Sequence, residues 1–303
     1  MARTVAETIS ETTRVHLQEG NGLLFGQCVT AVGWIGGTIP HLTEEDGIVE
    51  LSMADVSGAG IAVGAALVNR RPIYVIRYQG FMWYNAPSLL NYAAKSKEIW
   101  GVPCPIFVRS IGMEGGIGPV ASASHHGMVM RMPGMPVCAP MTPGEWLEAW
   151  QWFMDHDDPL YVSEHRRSFP IDYETVPILN QHADVTILAI SAARLNAREA
   201  IKLLTEDGIT CDLIDLVWLK PLQVPEAAVE SLNKSGLGLV IDSDFEIAGP
   251  SRSIAYELML GSSVPVHAMG LEDRTAGFAP HLDNGTPTVE RIYNNVKDLV
   301  KNR

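Results

Sequence analysis

Long apolar runs, paired cysteines and a basic surface are all missing from this chain. The longest run of small apolar residues, Gly58 to Val68, is 11 residues, about half of the roughly 20 a helix needs to cross a bilayer. The opening segment MARTVAETISETTR is polar and of mixed charge, without the apolar centre of a secretory signal. Four cysteines, Cys28, Cys104, Cys138 and Cys211, stand apart with no C-x-x-C spacing. That argues against a zinc framework and against the disulfide framework of small secreted domains. The expectation is a reduced, soluble, cytoplasmic protein. Basic residues are outnumbered 22 to 35, for a net charge of −13. A phosphate backbone or an anionic membrane would be repelled over most of such a surface, so neither a nucleic-acid nor a membrane partner is expected. An anionic ligand needs a local pocket that overrides the global field.

Familiar catalytic signatures are absent too: no G-x-x-x-x-G-K-[ST], no G-x-S-x-G and no H-E-x-x-H. Gly112 to Gly118 (GMEGGIG) is glycine-rich after a strand-like run, but its spacing is wrong for a dinucleotide fingerprint, and alone it reads as a flexible connection.

What is present is a globular composition, 47% hydrophobic and 19% charged over 303 residues, a length that suggests two domains. PIYVIR at Pro72–Arg77, PIFVR at Pro105–Arg109 and PVCA at Pro136–Ala139 read as buried strands. Between them Tyr84–Ile99 carries apolar residues at helical spacing, and Thr142-Pro143-Gly144-Glu145 is a capping box opening a helix through Met154. A polar, proline-containing seam falls at Phe169–Asp184. The alternation then restarts with strands at Val185–Ile190, Ile209–Leu216, Leu237–Asp242 and Val264–Met269. Helices run through Glu206 and after Pro225, Gly249 and Pro287. Strands alternating with helices imply parallel sheets covered on both faces.

An ordered series of segments then resembles a known family. Phe25-Gly26-Gln27-Cys28-Val29, the run Ser52 to Ala66 (SMADVSGAGIAVGAA) and Arg71-Pro72-Ile73 come first. Asn91-Tyr92-Ala93-Ala94-Lys95, Met132 to Val137 with Pro140, Leu219-Lys220-Pro221-Leu222 and the loop Asp273–Ala279 follow. Together they resemble the beta subunit of thiamine-diphosphate-dependent 2-oxo acid dehydrogenase first components (pyruvate dehydrogenase-like), over roughly residues 5 to 300. The same pair of domains forms the C-terminal half of transketolase. The implied fold is α/β: a transketolase-like pyrimidine-binding domain at residues 1–175, a parallel sheet with helices on both faces. A smaller α/β transketolase C-terminal domain follows at 184–303.

The resemblance implies thiamine diphosphate chemistry, in which a family glutamate hydrogen-bonds the aminopyrimidine ring. The matching residue is Asp55, which keeps the carboxyl but is shorter by one C–C bond, about 1.5 Å. Read without the family, Asp55 is equally a cap for the small-residue helix after it. A neighbouring acidic position of the family is Gln27 here. Phe81 falls where the family stacks a ring on the pyrimidine, with Tyr78, Trp83 and Tyr84 as further lining; the plain alternative is a core phenylalanine. His125 and His126 follow the glycine loop where the family has an active-site histidine, whereas His41, His156, His165 and His182 have no such context and read as solvated. Asp157-Asp158 lies near a family monovalent-cation site but reads more simply as a solvated turn.

The family's G-D-G…N motif for diphosphate and Mg2+ is not found. The resemblance therefore implies a separate alpha-type subunit carrying it, in an α2β2 heterotetramer. A lipoyl-bearing acyltransferase or carrier protein is implied if the substrate is a 2-oxo acid. The function implied is a beta-like subunit that decarboxylates a 2-oxo acid or transfers a two-carbon ketol or acyl unit. Asp55 and Gln27 also permit a non-catalytic structural or regulatory paralogue, and a free-standing binding protein for an acidic metabolite is a third possibility.

Overall fold

The computed structural model describes residues 2–20, 22–30 and 35–303. The chain divides into two compact units, residues 1–113 with 124–174, and residues 114–123 with 175–303.

The first unit runs α1 (Val5–Glu19), β1 (Gly22–Gly26), β2 (Ile48–Glu50), α2 (Asp55–Leu67), β3 (Arg71–Ile76), α3 (Met82–Ser88), α4 (Ala94–Trp100), β4 (Phe107–Gly112), α5 (His126–Met130), β5 (Val137–Cys138), α6 (Pro143–Asp155) and β6 (Leu160–His165). Its strands lie parallel in the order β2-β1-β3-β4-β6-β5, in registers that place Leu24 beside both Ile48 and Ile73, and Phe107 beside both Ile73 and Leu160. Parallel pairing puts every strand's carboxyl end on one edge, so the residues following Gly26, Glu50, Ile76 and His165 emerge on that edge. This is where open α/β sheets build their ligand sites. The strands are apolar nearly throughout because both faces are covered; in β3, Pro72 through Ile76 are all buried.

The capping box at α6 forms as its sequence implies: Thr142 Oγ1 accepts from the Glu145 N–H, with Pro143 in the first turn. The helix buries Trp146, Ala149 and Phe153 at three- and four-residue spacing. Phe107 of β4 meets the Trp146 ring edge-on at 5.6 Å and the Phe153 ring at 5.2 Å. Tyr84–Ile99, which reads as one helix, is instead broken into α3, a wide π-type turn at Leu89–Ala93, and α4. Pro87 inside α3 lacks an N–H and removes one rung of the hydrogen-bond ladder, so the following turn opens.

His16 of α1 is buried; its Nε2 lies 2.7 Å from the Arg71 carbonyl oxygen, with Trp150 edge-on at 4.9 Å. Burial holds its pKa below the ordinary 6.5, outweighing the carbonyl contact that favours the charged form. Neutral in the fold and protonated near pH 6 when unfolded, His16 stabilises fully above pH 6.5. That contribution is lost as pH falls from there toward the depressed folded value. Unfolding free energy measured in urea between pH 7.5 and 5 is expected to fall less steeply in His16→Gln than in the natural protein. Equal slopes would show that the burial of His16 does not couple to protonation.

The second unit contains β7 (Val185–Ile190), α7 (Ala193–Glu206), β8 (Cys211–Leu216), β9 (Trp218–Lys220), α8 (Glu226–Ser235), β10 (Gly238–Phe245), α9 (Pro250–Ser262), β11 (Val266–Leu271) and α10 (Val289–Lys301). Its sheet is parallel in the order β11-β10-β7-β8. Ala197, Ile201 and Leu204 of α7 and Ile292 and Val296 of α10 pack with Ile187, Leu213 and Leu239 of the strands. The segment 114–123, part of the glycine loop, belongs to this unit and is tied to it at two points. Glu114 Oε2 accepts from the Thr286 N–H at 2.6 Å, and Gly118, at φ 87°, lies so close to the Phe278 ring that a Cβ would sit 2.4 Å from it. Among the described residues no helix is long and apolar enough to cross a membrane.

Candidate functional site

The carboxyl edge of the first unit's sheet carries most of the residues singled out above. Asp55 is the first residue of α2, half-buried, and it is not the helix cap: the cap position is Ala54, with no side-chain bond. Its carboxylate is instead held by Asn85 of α3, whose Nδ2 donates to Asp55 Oδ1 at 3.2 Å and to the Phe81 carbonyl at 2.9 Å. Asn85 Oδ1 accepts from the Tyr74 hydroxyl at 2.6 Å. With two oxygens facing its nitrogen and a hydroxyl donor facing its oxygen, the amide has one satisfiable orientation. Burial, reinforced by the Asp55 charge, pushes the Tyr74 phenol well above its ordinary range, so it remains the donor. One buried amide thereby fixes both the Asp55 carboxyl and the backbone beneath Phe81. Nothing in the sequence pattern distinguished Asn85 from the polar residues around it.

Phe81 keeps accessible surface, while its neighbour Met82 takes the core position and Trp83 is exposed. Tyr78 meets Phe81 edge-on at 5.8 Å. The core-phenylalanine reading therefore belongs to Met82's place in the fold. Gln27, directly after β1, is buried. The loop that continues from it is organised by Glu50, at the end of β2. That carboxylate accepts from the Cys28 N–H and from the Thr30 N–H and hydroxyl at 3.0 and 2.9 Å.

The two histidines separate. His126 is fully buried, its Nδ1 3.0 Å from Ser163 Oγ, whereas His125 is half-buried and its backbone N–H donates to Gln79 Oε1 at 2.7 Å. Gln79, also fully buried, uses its amide nitrogen on Ser163 Oγ at 2.7 Å and on the Ser110 and Glu164 carbonyls at 3.2 Å each. It ties the segment after β3 to the ends of β4 and β6. His165, expected in solvent, is 1% exposed. It is the last residue of a strand buried from end to end, and its Nδ1 accepts from the Arg167 N–H. Asp157 and Asp158 lie in a surface turn and pair with Arg71 and Lys97, each at 2.7 Å. Such exposed pairs are worth roughly 0–1 kcal/mol.

Asp55, Phe81 and His125 thus lie near the carboxyl edge of one parallel sheet, and a second α/β unit follows, which defines a two-domain α/β architecture. Residues 18–171 match the transketolase pyrimidine-binding domain and residues 174–292 the transketolase C-terminal domain; the chain belongs to this family. It is 28% identical to the pyruvate dehydrogenase E1 component subunit beta of Rickettsia bellii over 83% of each chain. It is 27% identical to the subunit beta of acetoin:2,6-dichlorophenolindophenol oxidoreductase of Bacillus subtilis, across 99% of this chain and 98% of that one. A split-gene transketolase, solved as an inactive beta4 tetramer, shares the fold across 99% of both chains with a TM-score of 0.74 at 19% identity. The chain is thus a homologue of E1 beta subunits built on the transketolase-like two-domain α/β fold.

Proposed function

We propose that this chain is the beta-type subunit of a two-chain thiamine diphosphate enzyme that decarboxylates a 2-oxo acid and passes on the resulting two-carbon or acyl unit. Residues 1–175 serve as the pyrimidine-binding domain and 184–303 as the C-terminal domain. The observation that carries the reading is Asn85, which holds the Asp55 carboxyl and the Phe81 backbone with one side chain. A flat aminopyrimidine needs a carboxyl at its edge and an aromatic face against its ring, and these residues fit it. Thiamine diphosphate, once bound, supplies the nucleophilic carbon and the electron sink for decarboxylation. Asp55 Oδ1 is engaged by Asn85, and Oδ2, which has no partner among the described residues, is the oxygen that would share a proton with the pyrimidine nitrogen. Phe81 offers its ring to the pyrimidine, and Tyr78 and Gln27 line the same edge. His125, which keeps accessible surface, is the histidine assigned to the substrate, while His126 is fully buried against Ser163. Magnesium and the diphosphate are assigned to an alpha-type partner.

Such a partner has a surface to meet. Met53 just before α2, Val56 and Ile61 of α2, and Trp83, Tyr84 and Tyr92 after β3, all more than half exposed, present apolar surface. A heterotetramer of two beta-type and two alpha-type chains would cover it, and a lipoyl-bearing acyltransferase would take the product. The loss of one C–C bond at Asp55 favours a second reading, a non-catalytic paralogue that keeps the interface and not the chemistry. Native mass spectrometry of the chain recovered from its own cells, with magnesium and thiamine diphosphate added, tests the assignment. The expected species is an α2β2 assembly holding two cofactors. A monomer or homo-oligomer without cofactor would overturn it.

A further inference from the structure

Arg77 directly follows β3 on the same carboxyl edge, and the groups around it are unusual for an arginine. Its Nη1 lies 3.2 Å from Cys28 Sγ and its Nη2 3.6 Å from Met53 Sδ. The guanidinium carbon sits 5.4 Å over the Phe81 ring and 6.0 Å from the centre of Tyr78. Its Nε is buried with no acceptor. Among the described residues no carboxylate pairs with it. The fully buried arginines are treated otherwise: Arg109 is matched by Glu164 and Arg194 by Asp215. Sulfur is a weak acceptor, and aromatic faces offset only part of the lost hydration of a cation. A guanidinium held in this way, in a chain of net charge −13, is short of one anion.

We propose that Arg77 is the receptor for the substrate's carboxylate group, an inference that rests on the 2-oxo acid reading above. The planar guanidinium presents two parallel N–H groups that match a carboxylate's two oxygens. One guanidinium also balances one carboxylate, whereas a phosphate monoester dianion calls for a second cation, and none is among the described residues touching Arg77. Its place beside Phe81 puts the anion next to the aromatic plate on which the pyrimidine would rest. Cys28 and Met53 act as soft, displaceable neighbours that hold the fork open when no ligand is bound.

The test uses the assembled complex and two independent readouts. In the first, Arg77 is modified with phenylglyoxal and its peptide is quantified by mass spectrometry, with pyruvate or 2-oxoisovalerate as protectant and acetone or inorganic phosphate as controls. The oxo acids are expected to slow modification of Arg77 by about tenfold, and the controls to leave it unchanged. In the second, Arg77→Met is expected to raise KM for the oxo acid about 10- to 100-fold with kcat little changed, with Arg77→Lys intermediate. Protection requires no turnover. Protection by oxo acids in an assembly that turns none of them over therefore supports the receptor and sinks only the catalytic reading. Equal protection by phosphate, no protection by either, or an unchanged KM in Arg77→Met would overturn the proposal.

Discussion

Asp55→Asn in the assembled enzyme is expected to lower kcat by a factor of about 10²–10⁴, the range that a positioned proton-transfer group supplies, while leaving the fold in place. The substitution is chosen for its geometry. Asparagine retains an Oδ1 to accept from Asn85, so the contact at 3.2 Å and the support under Phe81 survive. What it removes is the ionisable carboxyl. The loss of a negative charge from the first turn of α2 costs about 0.3–1 kcal/mol of helix stability, too little to unfold the unit. A second observable confirms that the charge has gone. The Asp55 charge adds to burial in holding the Tyr74 phenol above its usual range, so the tyrosine should titrate at lower pH in Asp55→Asn than in the natural chain. Asp55→Glu separates the two readings of the site. If the natural enzyme turns over and glutamate brings no gain, the backbone and Asn85 have already made up for the missing bond, and the paralogue reading fails. If only Asp55→Glu turns over, the natural chain has kept the interface and lost the chemistry.

Much of this architecture is legible in the residues because it follows from local rules. Val185–Ile190 reads as a buried strand and is β7, and the Thr142–Glu145 box opens α6 where capping chemistry says it should. The breaks after Pro225, Gly249 and Pro287 each precede a helix. Three features escape such rules. The helix read over Tyr84–Ile99 has the right apolar period, yet Pro87 and the wide turn after it segment the chain. His165 carries no local sign of burial, because a strand in the middle of a parallel sheet hides both faces whatever its final residue is. Asn85, Gln79 and Arg77 owe their importance to what folding brings to them: Asp55 of α2 and Tyr74 of β3 to Asn85, the ends of β4 and β6 to Gln79, and Cys28 after β1 to Arg77. No spacing within the chain encodes those neighbours, and only the resemblance to a family pointed toward Asp55 and Phe81 among many acidic and aromatic residues.

The largest stability effect is expected beneath the site, at Glu164. Arg109 and Glu164 are paired on adjacent strands β4 and β6, 0% and 1% exposed, with Nε to Oε1 at 2.7 Å and Nη2 to Oε2 at 2.9 Å. Trp146 Nε1 donates to the same carboxylate at 3.2 Å, and Thr38 Oγ1 accepts from Arg109 at 2.9 Å. Two fully desolvated charges gain little net free energy from one another, but each becomes a severe liability without its partner. Glu164→Ala leaves the Arg109 guanidinium and the Trp146 N–H buried without their acceptor. It is expected to cost about 3–5 kcal/mol, which lowers the midpoint of thermal unfolding by roughly 10 °C for a unit of this size. The double variant Arg109→Met with Glu164→Leu should recover at least half of that loss, because a well-packed apolar pair replaces the ions at similar volume. If the loss in the double variant equals the sum of the losses in Arg109→Met alone and Glu164→Leu alone, the pair contributes no coupling. The consequence reaches the site through Gln79. Its nitrogen donates to the Glu164 carbonyl while its oxygen accepts from the His125 N–H, so a shift of β6 at Glu164 carries His125 with it. The double variant, refolded but repacked, should therefore regain stability more completely than it regains turnover.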